Sequence, residues 1–199
     1  MSQLKKPDFT NEFRLGLVVY GGLSLAIYMN GVCQEFFNAV RGRGIYKIIK
    51  AVTNSDIVVD IISGTSAGGI NGVLLSYALT NSNESYAEGK VIEFKDFAKI
   101  WRDNGSIYDL LRRPGKNREN ADSILDGDYY QNALANALNL AQPESPRAEN
   151  DWYSPFSELD LFVTGTDIEG KVNQIFDNTG KVIEIKNNRA VFELRQKSL

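Results

Sequence analysis

The chain of 199 residues has no histidine and one cysteine, Cys33. A Ser-His-Asp hydrolase, a Cys-His protease and a His-ligated metal site each need an imidazole, so all three are excluded for this chain acting alone. Proton transfer then falls to a carboxylate, a lysine or a cofactor. A lone cysteine forms no intrachain disulfide, which fits a reducing cytoplasm. The apolar neighbours of Cys33 mark it as a core thiol. Positive charge is also scarce: Lys+Arg number 22 against Asp+Glu 25, a net charge of −3. The one basic cluster, Arg112-Arg113-Pro114-Gly115-Lys116-Asn117-Arg118, is short and broken by Pro and Gly. Nucleic-acid binding calls for concentrated positive charge, so no nucleic-acid partner is expected. The cluster reads as a solvated loop, with attraction to anionic lipid headgroups as its functional alternative. Long hydrophobic runs are lacking too. The polar stretch Met1–Asn11 leads into no signal-peptide core. The uncharged stretch Leu15 to Cys33 has near-spanning length but is interrupted by Gly21-Gly22 and Asn30-Gly31.

What is present fits a globular domain with a real core: 43% of the residues are hydrophobic. Phe13 to Tyr20 (FRLGLVVY) is apolar and β-branched and stops at a glycine pair, which predicts a buried strand. From Ser24 to Val40, Leu25, Tyr28, Met29, Val32, Phe36 and Phe37 recur at near-helical spacing, ending around Arg41-Gly42-Arg43-Gly44. Ile57 to Ile62 predicts a second strand and Ala67 to Leu79 a tightly packed second helix. Strand–helix–strand–helix order implies parallel strands with helices on the faces. Residues 81–157 change character. Phe94 to Trp101 and Tyr129 to Leu140 look helical between polar loops, so this region reads as a helical insertion. The β pattern returns at Leu159 to Thr166, Lys171 to Phe176 and Lys181 to Ile185, with Gly170 and Gly180 as turn residues. Val191 to Leu194 starts a further strand.

Ser63-Gly64-Thr65-Ser66-Ala67-Gly68-Gly69 carries the strongest chemical signal. Gly64-x-Ser66-x-Gly68 lies directly after a predicted strand and before a predicted helix, the setting of a nucleophile elbow. A serine on such a turn is conformationally strained, and side chains two residues either side would collide. The following helix N-terminus favours developing negative charge. The plainer reading is a Gly/Ser turn entering a helix. Tyr20-Gly21-Gly22-Leu23-Ser24 ends the first strand and could converge backbone N–H groups on an oxyanion. A nucleotide-phosphate loop is the competing reading, but the GxGxxG spacing fails and no Lys-Ser/Thr follows. Without histidine the general base is an Asp or Glu. Asp60, Asp126 and Asp167 are candidates in the chain, each with a structural alternative: a paired core group, a helix N-cap and a turn residue. A carboxylate with an ordinary pKa near 3.9 is a weak base at neutral pH, so burial or orientation must assist it.

These residues resemble the patatin-like phospholipases. Gly21-Gly22 is similar to that family's glycine-rich oxyanion loop and Gly64-Thr65-Ser66-Ala67-Gly68-Gly69 to its nucleophile elbow. Leu161-Phe162-Val163-Thr164-Gly165-Thr166-Asp167, with Gly170 and the strand to Phe176, is similar to its later core hairpin. Gly22 to Val32 resembles a divergent bacterial branch in which this region fronts a much longer chain. The resemblance implies a three-layer α/β/α fold with a mainly parallel central sheet over residues 12–199, behind a polar tail at 1–11. It implies acyl-lipid or phospholipid hydrolysis by a Ser-Asp dyad, with no metal and no cofactor, and peripheral contact with a membrane surface. Ser66 would be the nucleophile, and N–H groups near Gly21, Gly22 and Leu23 the oxyanion hole. Two departures stand out. The family's loop usually carries Arg or Lys after three glycines, and here Ser24 or Leu25 takes that place. The family's catalytic Asp sits in an Asp-Gly-Gly or Asp-Gly-Ala turn after the hairpin. Asp126-Gly127 precedes the hairpin, so the order rejects it. The expectation is a domain cut before its catalytic Asp, which lies beyond residue 199, leaving the fragment poorly active. A non-catalytic lipid- or partner-binding module and an acyltransferase using the same serine are the alternatives.

Overall fold

Apolar runs stopped by glycine turn into strands and helices largely where the pattern puts them. The computed structural model describes residues 9–80, 90–91, 94–112, 123–140, 145–146 and 158–197. Strand β1 (Asn11–Val19) leads through a 3-10 turn at Leu23–Leu25 into α1 (Ala26–Arg41), then α2 (Ile45–Thr53), β2 (Ser55–Thr65) and α3 (Ala67–Thr80). The short β3 (Lys90–Val91), a 3-10 turn at Phe94–Phe97, α4 (Ala98–Asn104), α5 (Ile107–Leu110), α6 (Gly127–Leu140) and β4 (Ser145–Pro146) fall within 81–157. The chain closes on β5 (Glu158–Phe176) and β6 (Val182–Lys197). The main sheet runs β1-β2-β5-β6. β1–β2 and β2–β5 are parallel and β5–β6 is antiparallel. This is the expected α/β architecture, a mostly parallel sheet flanked by helices.

The core lies between the sheet and the α1–α3 layer. Leu17, Val59, Ile62, Leu159 and Leu161 from the strands bury against Cys33, Phe37, Val40, Leu74 and Leu75 from the helices. Gly72 explains how closely α3 lies on the sheet: a Cβ there would come within 3.1 Å of Ile62 Cγ2. Phe94 and Phe97, in the 3-10 turn before α4, cap this layer, with Phe94 against Phe37 and Phe97 against Tyr77. The strand residues one position out of phase, Val18 and Ile61, point to the opposite face and are exposed. Among the described residues no helix covers them.

Three features depart from the sequence pattern. Helix α2 falls in a stretch for which the sequence pattern indicates no element. Its Ile45, Ile48, Ile49 and Val52 have helical spacing, but the run is short and β-branched, which also suits a strand. Those four side chains are exposed, whereas Lys50 on the same helix is fully buried. Its ammonium donates to Asp56 (2.5 Å) and to the Val40 carbonyl (2.6 Å). Second, the separate later strands fuse into one long hairpin. Gly170, at φ +66°, sits inside an irregularity of β5 rather than in a hairpin turn. The true turn is tied by the Asp177 carboxylate, which accepts from the Thr179 and Lys181 N–H groups and the Thr179 hydroxyl. Third, the β1–β2 register slips by one residue at Asp60. This bulge lets the Asp60 carboxylate accept from Arg14 at 2.8 Å.

Candidate active site

The β2–α3 junction is a sharp turn because its residues allow almost nothing else. Ser66 has φ +53°, a left-handed conformation that a side-chain-bearing residue adopts only under constraint. A Cβ on Gly64 would lie 2.6 Å from the Gly68 carbonyl oxygen. One on Gly68 would lie 2.2 Å from the carbonyl oxygen of Val19. Both contacts are with backbone, so neither site accepts a larger residue without moving a strand. α3 begins at once, the Ile70 N–H donating to the Ser66 carbonyl (3.1 Å). The strained turn leaves Ser66 exposed at the carboxyl edge of the parallel strands. The positive end of the α3 dipole lies beside it.

The glycine pair after β1 reaches the same place. A Cβ on Gly21 would stand 3.0 Å from Ser66 Cβ and 3.1 Å from the Thr65 carbonyl. Gly22 has φ +143°, which favours glycine, and its carbonyl accepts from the Leu25 N–H to open the 3-10 turn that includes Leu23. Among the described residues, the Gly21 and Gly22 N–H groups donate to no backbone carbonyl in turns or loops. Gly21, Gly64, Ser66 and Gly68 therefore converge, although some 40 residues separate the two turns.

The serine opens into a cavity of about 630 Å³ lined by Thr65, Ser66, Thr164, Gly165, Thr166, Asn188 and Arg189. The last two come from β6, in a segment without a sequence prediction. The hairpin register brings them here by setting Arg189 opposite Thr166. Among the described residues no carboxylate pairs with the Arg189 side chain or lines this cavity.

The candidate carboxylates have other partners. Asp60 pairs with Arg14. Asp126 accepts from the Tyr129 N–H (3.1 Å) at the start of α6. Asp167 accepts from the Glu169 N–H (3.1 Å) in the β5 irregularity. Cys33 lies in the core, where burial pushes its thiol up to about 12. Of the basic cluster, Arg112 is described. It donates from Nε to the Leu125 carbonyl (3.3 Å). Residues 113–118 lie outside the described residues.

A family model described as patatin-like phospholipase matches residues 17–182, which include both turns and most of the hairpin. The chain is 28% identical to an uncharacterized membrane protein, Rv3479, of Mycobacterium tuberculosis. The match covers 96% of this chain and 19% of that protein. No solved structure matches. Among the described residues, no helix is long and apolar enough to cross a membrane.

Proposed function

The chain belongs to the patatin-like phospholipase family, and from that premise we propose that Ser66 is the nucleophile of a lipid acyl hydrolase working through an acyl-enzyme. The observation that carries this reading is the strained Ser66 backbone, at φ +53°, held against Gly21 between Gly64 and Gly68, where an added Cβ would meet backbone atoms. Ser66 Oγ attacks the acyl carbonyl carbon and passes its proton to an aspartate. The carbonyl oxygen becomes an oxyanion facing the N–H groups around Gly21, Gly22 and Leu23. Collapse expels the lipid alcohol, which takes up the proton. Water then attacks the acyl-enzyme by the same route and frees the fatty acid. The family resemblance makes the base an aspartate, and on this reading it lies outside the described residues. A carboxylate can serve there if burial raises its pKa towards neutrality.

The lining also suggests a substrate. Arg189 lines the cavity that holds Ser66, together with Asn188 and three threonines, Thr65, Thr164 and Thr166. That set suits an ester whose alcohol carries an anionic group, as the phosphate of a phospholipid does. A second reading, a lipid-binding module without catalysis, is favoured by the absence of any carboxylate lining the cavity among the described residues.

The two readings separate by active-site labelling of the full-length protein with a fluorophosphonate. The expected result is one labelled site, lost in Ser66→Ala, with fatty acid released from phosphatidylcholine by the wild type alone. Labelling that persists in Ser66→Ala removes Ser66 as nucleophile, and an unlabelled, folded wild type leaves the binding module.

A further inference from the structure

The two turns of the candidate site belong to different helices. The Gly21–Gly22 loop feeds α1, and Ser66 heads α3. Their mutual alignment depends on how the first turn of α1 sits on the start of α3. Much of that contact is apolar: Ala26, Met29, Ala67 and Trp101 form one buried cluster. Apolar contact alone is non-directional and sets no register.

One polar side chain runs through this cluster. Asn71 stands five residues after Ser66 and is fully buried. Its Nδ2 donates to the carbonyl of Ala26, the first residue of α1, at 3.1 Å. Its Oδ1 accepts twice, from Asn30 Nδ2 of α1 at 3.1 Å and from Trp101 Nε1 of α4 at 2.9 Å. Asn30 and Trp101 are each 4% exposed. The partners fix which way round the amide lies, because a carbonyl only accepts and an indole N–H only donates. No other side chain of this size supplies both roles. A leucine offers neither, an ionised aspartate opposes the Ala26 carbonyl, and a glutamine reaches one methylene too far.

We propose that Asn71 is a positioning residue for Ser66: it clamps the helix behind the glycine loop to the helix behind the nucleophile, and its bond to Trp101 ties the insertion to both. This rests on Ser66 being the nucleophile. Inside a water-excluded cluster, directional bonds hold one arrangement, and breaking any of them leaves a buried polar group unpaired. A displacement of about 1 Å between a nucleophile and its oxyanion donors is enough to cost about 100-fold in rate.

The test uses the full-length protein, its fluorophosphonate labelling rate at Ser66 and its turnover of a soluble short-chain ester. Asn71→Leu is expected to slow labelling by about 10- to 100-fold and to lower kcat with KM unchanged. Trp101→Phe keeps the aromatic volume and removes one donor, so a loss of about 3- to 10-fold is expected, again in kcat. It decides the matter if the leucine variant fails to fold. Leu79→Ala, at the far end of α3, is the control: it lowers the melting temperature through a core cavity but should leave kcat unchanged. Wild-type rates in Trp101→Phe and in folded Asn71→Leu overturn the clamp, as does an equal kcat loss in Leu79→Ala. An unlabelled wild type would overturn the nucleophile reading together with the clamp, whereas a labelled wild type with equally labelled variants overturns the clamp alone.

Discussion

The glycines of this chain divide by what a single added methyl group would meet. At Gly68 it would lie 2.2 Å from the Val19 carbonyl and 2.4 Å from that of Tyr20, both backbone. Gly68→Ala must push the end of β1 off α3, so we expect a loss of about 1–3 kcal/mol together with loss of fluorophosphonate labelling. At Gly31, in α1, nothing lies within 4 Å. Gly31→Ala should therefore stabilise by about 0.5–1 kcal/mol, a rise of about 2–4 °C per kcal/mol for a protein of this size. Thermal melts of both variants check the pair, and a drop at Gly31 would refute the steric account. Cys33 supplies a chemical counterpart. It is 1% exposed, with its thiol raised to about 12 by burial. At neutral pH it stays protonated, so a disulfide reagent should modify it only after denaturant is added, and rapid native-state reaction would contradict this. Such residues also show why half of the candidate site can be read from the sequence. The elbow glycines stand two positions either side of Ser66, so a local motif records them even though Gly68 is required by the distant Val19 carbonyl. Arg189 reaches the cavity only through the β5–β6 register, which no local pattern encodes.

Helix α2 reverses the usual bookkeeping of inside and outside. Its aliphatic side chains face outward, and its buried anchor is a charge, Lys50, bonded to Asp56 on β2 and to the Val40 carbonyl that ends the core face of α1. A buried charge that loses its partner keeps its desolvation cost, so Asp56→Ala should destabilise by about 3–5 kcal/mol. Ile48→Ser, on the exposed face, should cost less than about 0.5 kcal/mol. Urea unfolding of both variants tests the ordering, and an equal or inverted effect would mean that the apolar face of α2 is covered in the folded protein. This inversion is also why α2 escapes sequence reading, whereas β1, α1, β2 and α3 do not. Those four each send apolar residues into one core, and glycines stand at the turns that join β1 to α1 and β2 to α3. Gly42 closes α1 at φ +62°, and its N–H donates back to Ala39. The hairpin lies between these cases. Its strands are legible, but Gly170 imitates a turn while sitting at a bulge, and the turn itself depends on the Asp177 carboxylate.

At the scale of the molecule, net charge and local charge pull in opposite directions. A chain of net charge −3 gains nothing at long range from an anionic bilayer. Beyond a Debye length of about 8 Å at physiological salt that repulsion is screened in any case. On the proposed reading, attraction to an anionic substrate comes from a cation near the reacting ester, and Arg189 is the basic residue among those lining the Ser66 cavity. Because Arg189 is exposed, the contact is worth on the order of 1 kcal/mol rather than the larger value of a buried pair, or about 5-fold in affinity. Arg189→Gln in the full-length protein should raise KM about 5-fold for a soluble short-chain phospholipid. It should leave kcat/KM for a neutral p-nitrophenyl ester unchanged, because that ester has no anionic group for the guanidinium to meet. The difference should persist at 150 mM salt, where long-range steering has largely gone, since a contact inside the cavity is screened less than one across the surface. An equal loss on both esters would make Arg189 a support of the hairpin rather than a reader of the headgroup. Unchanged kinetics on both would place the substrate's anionic group elsewhere.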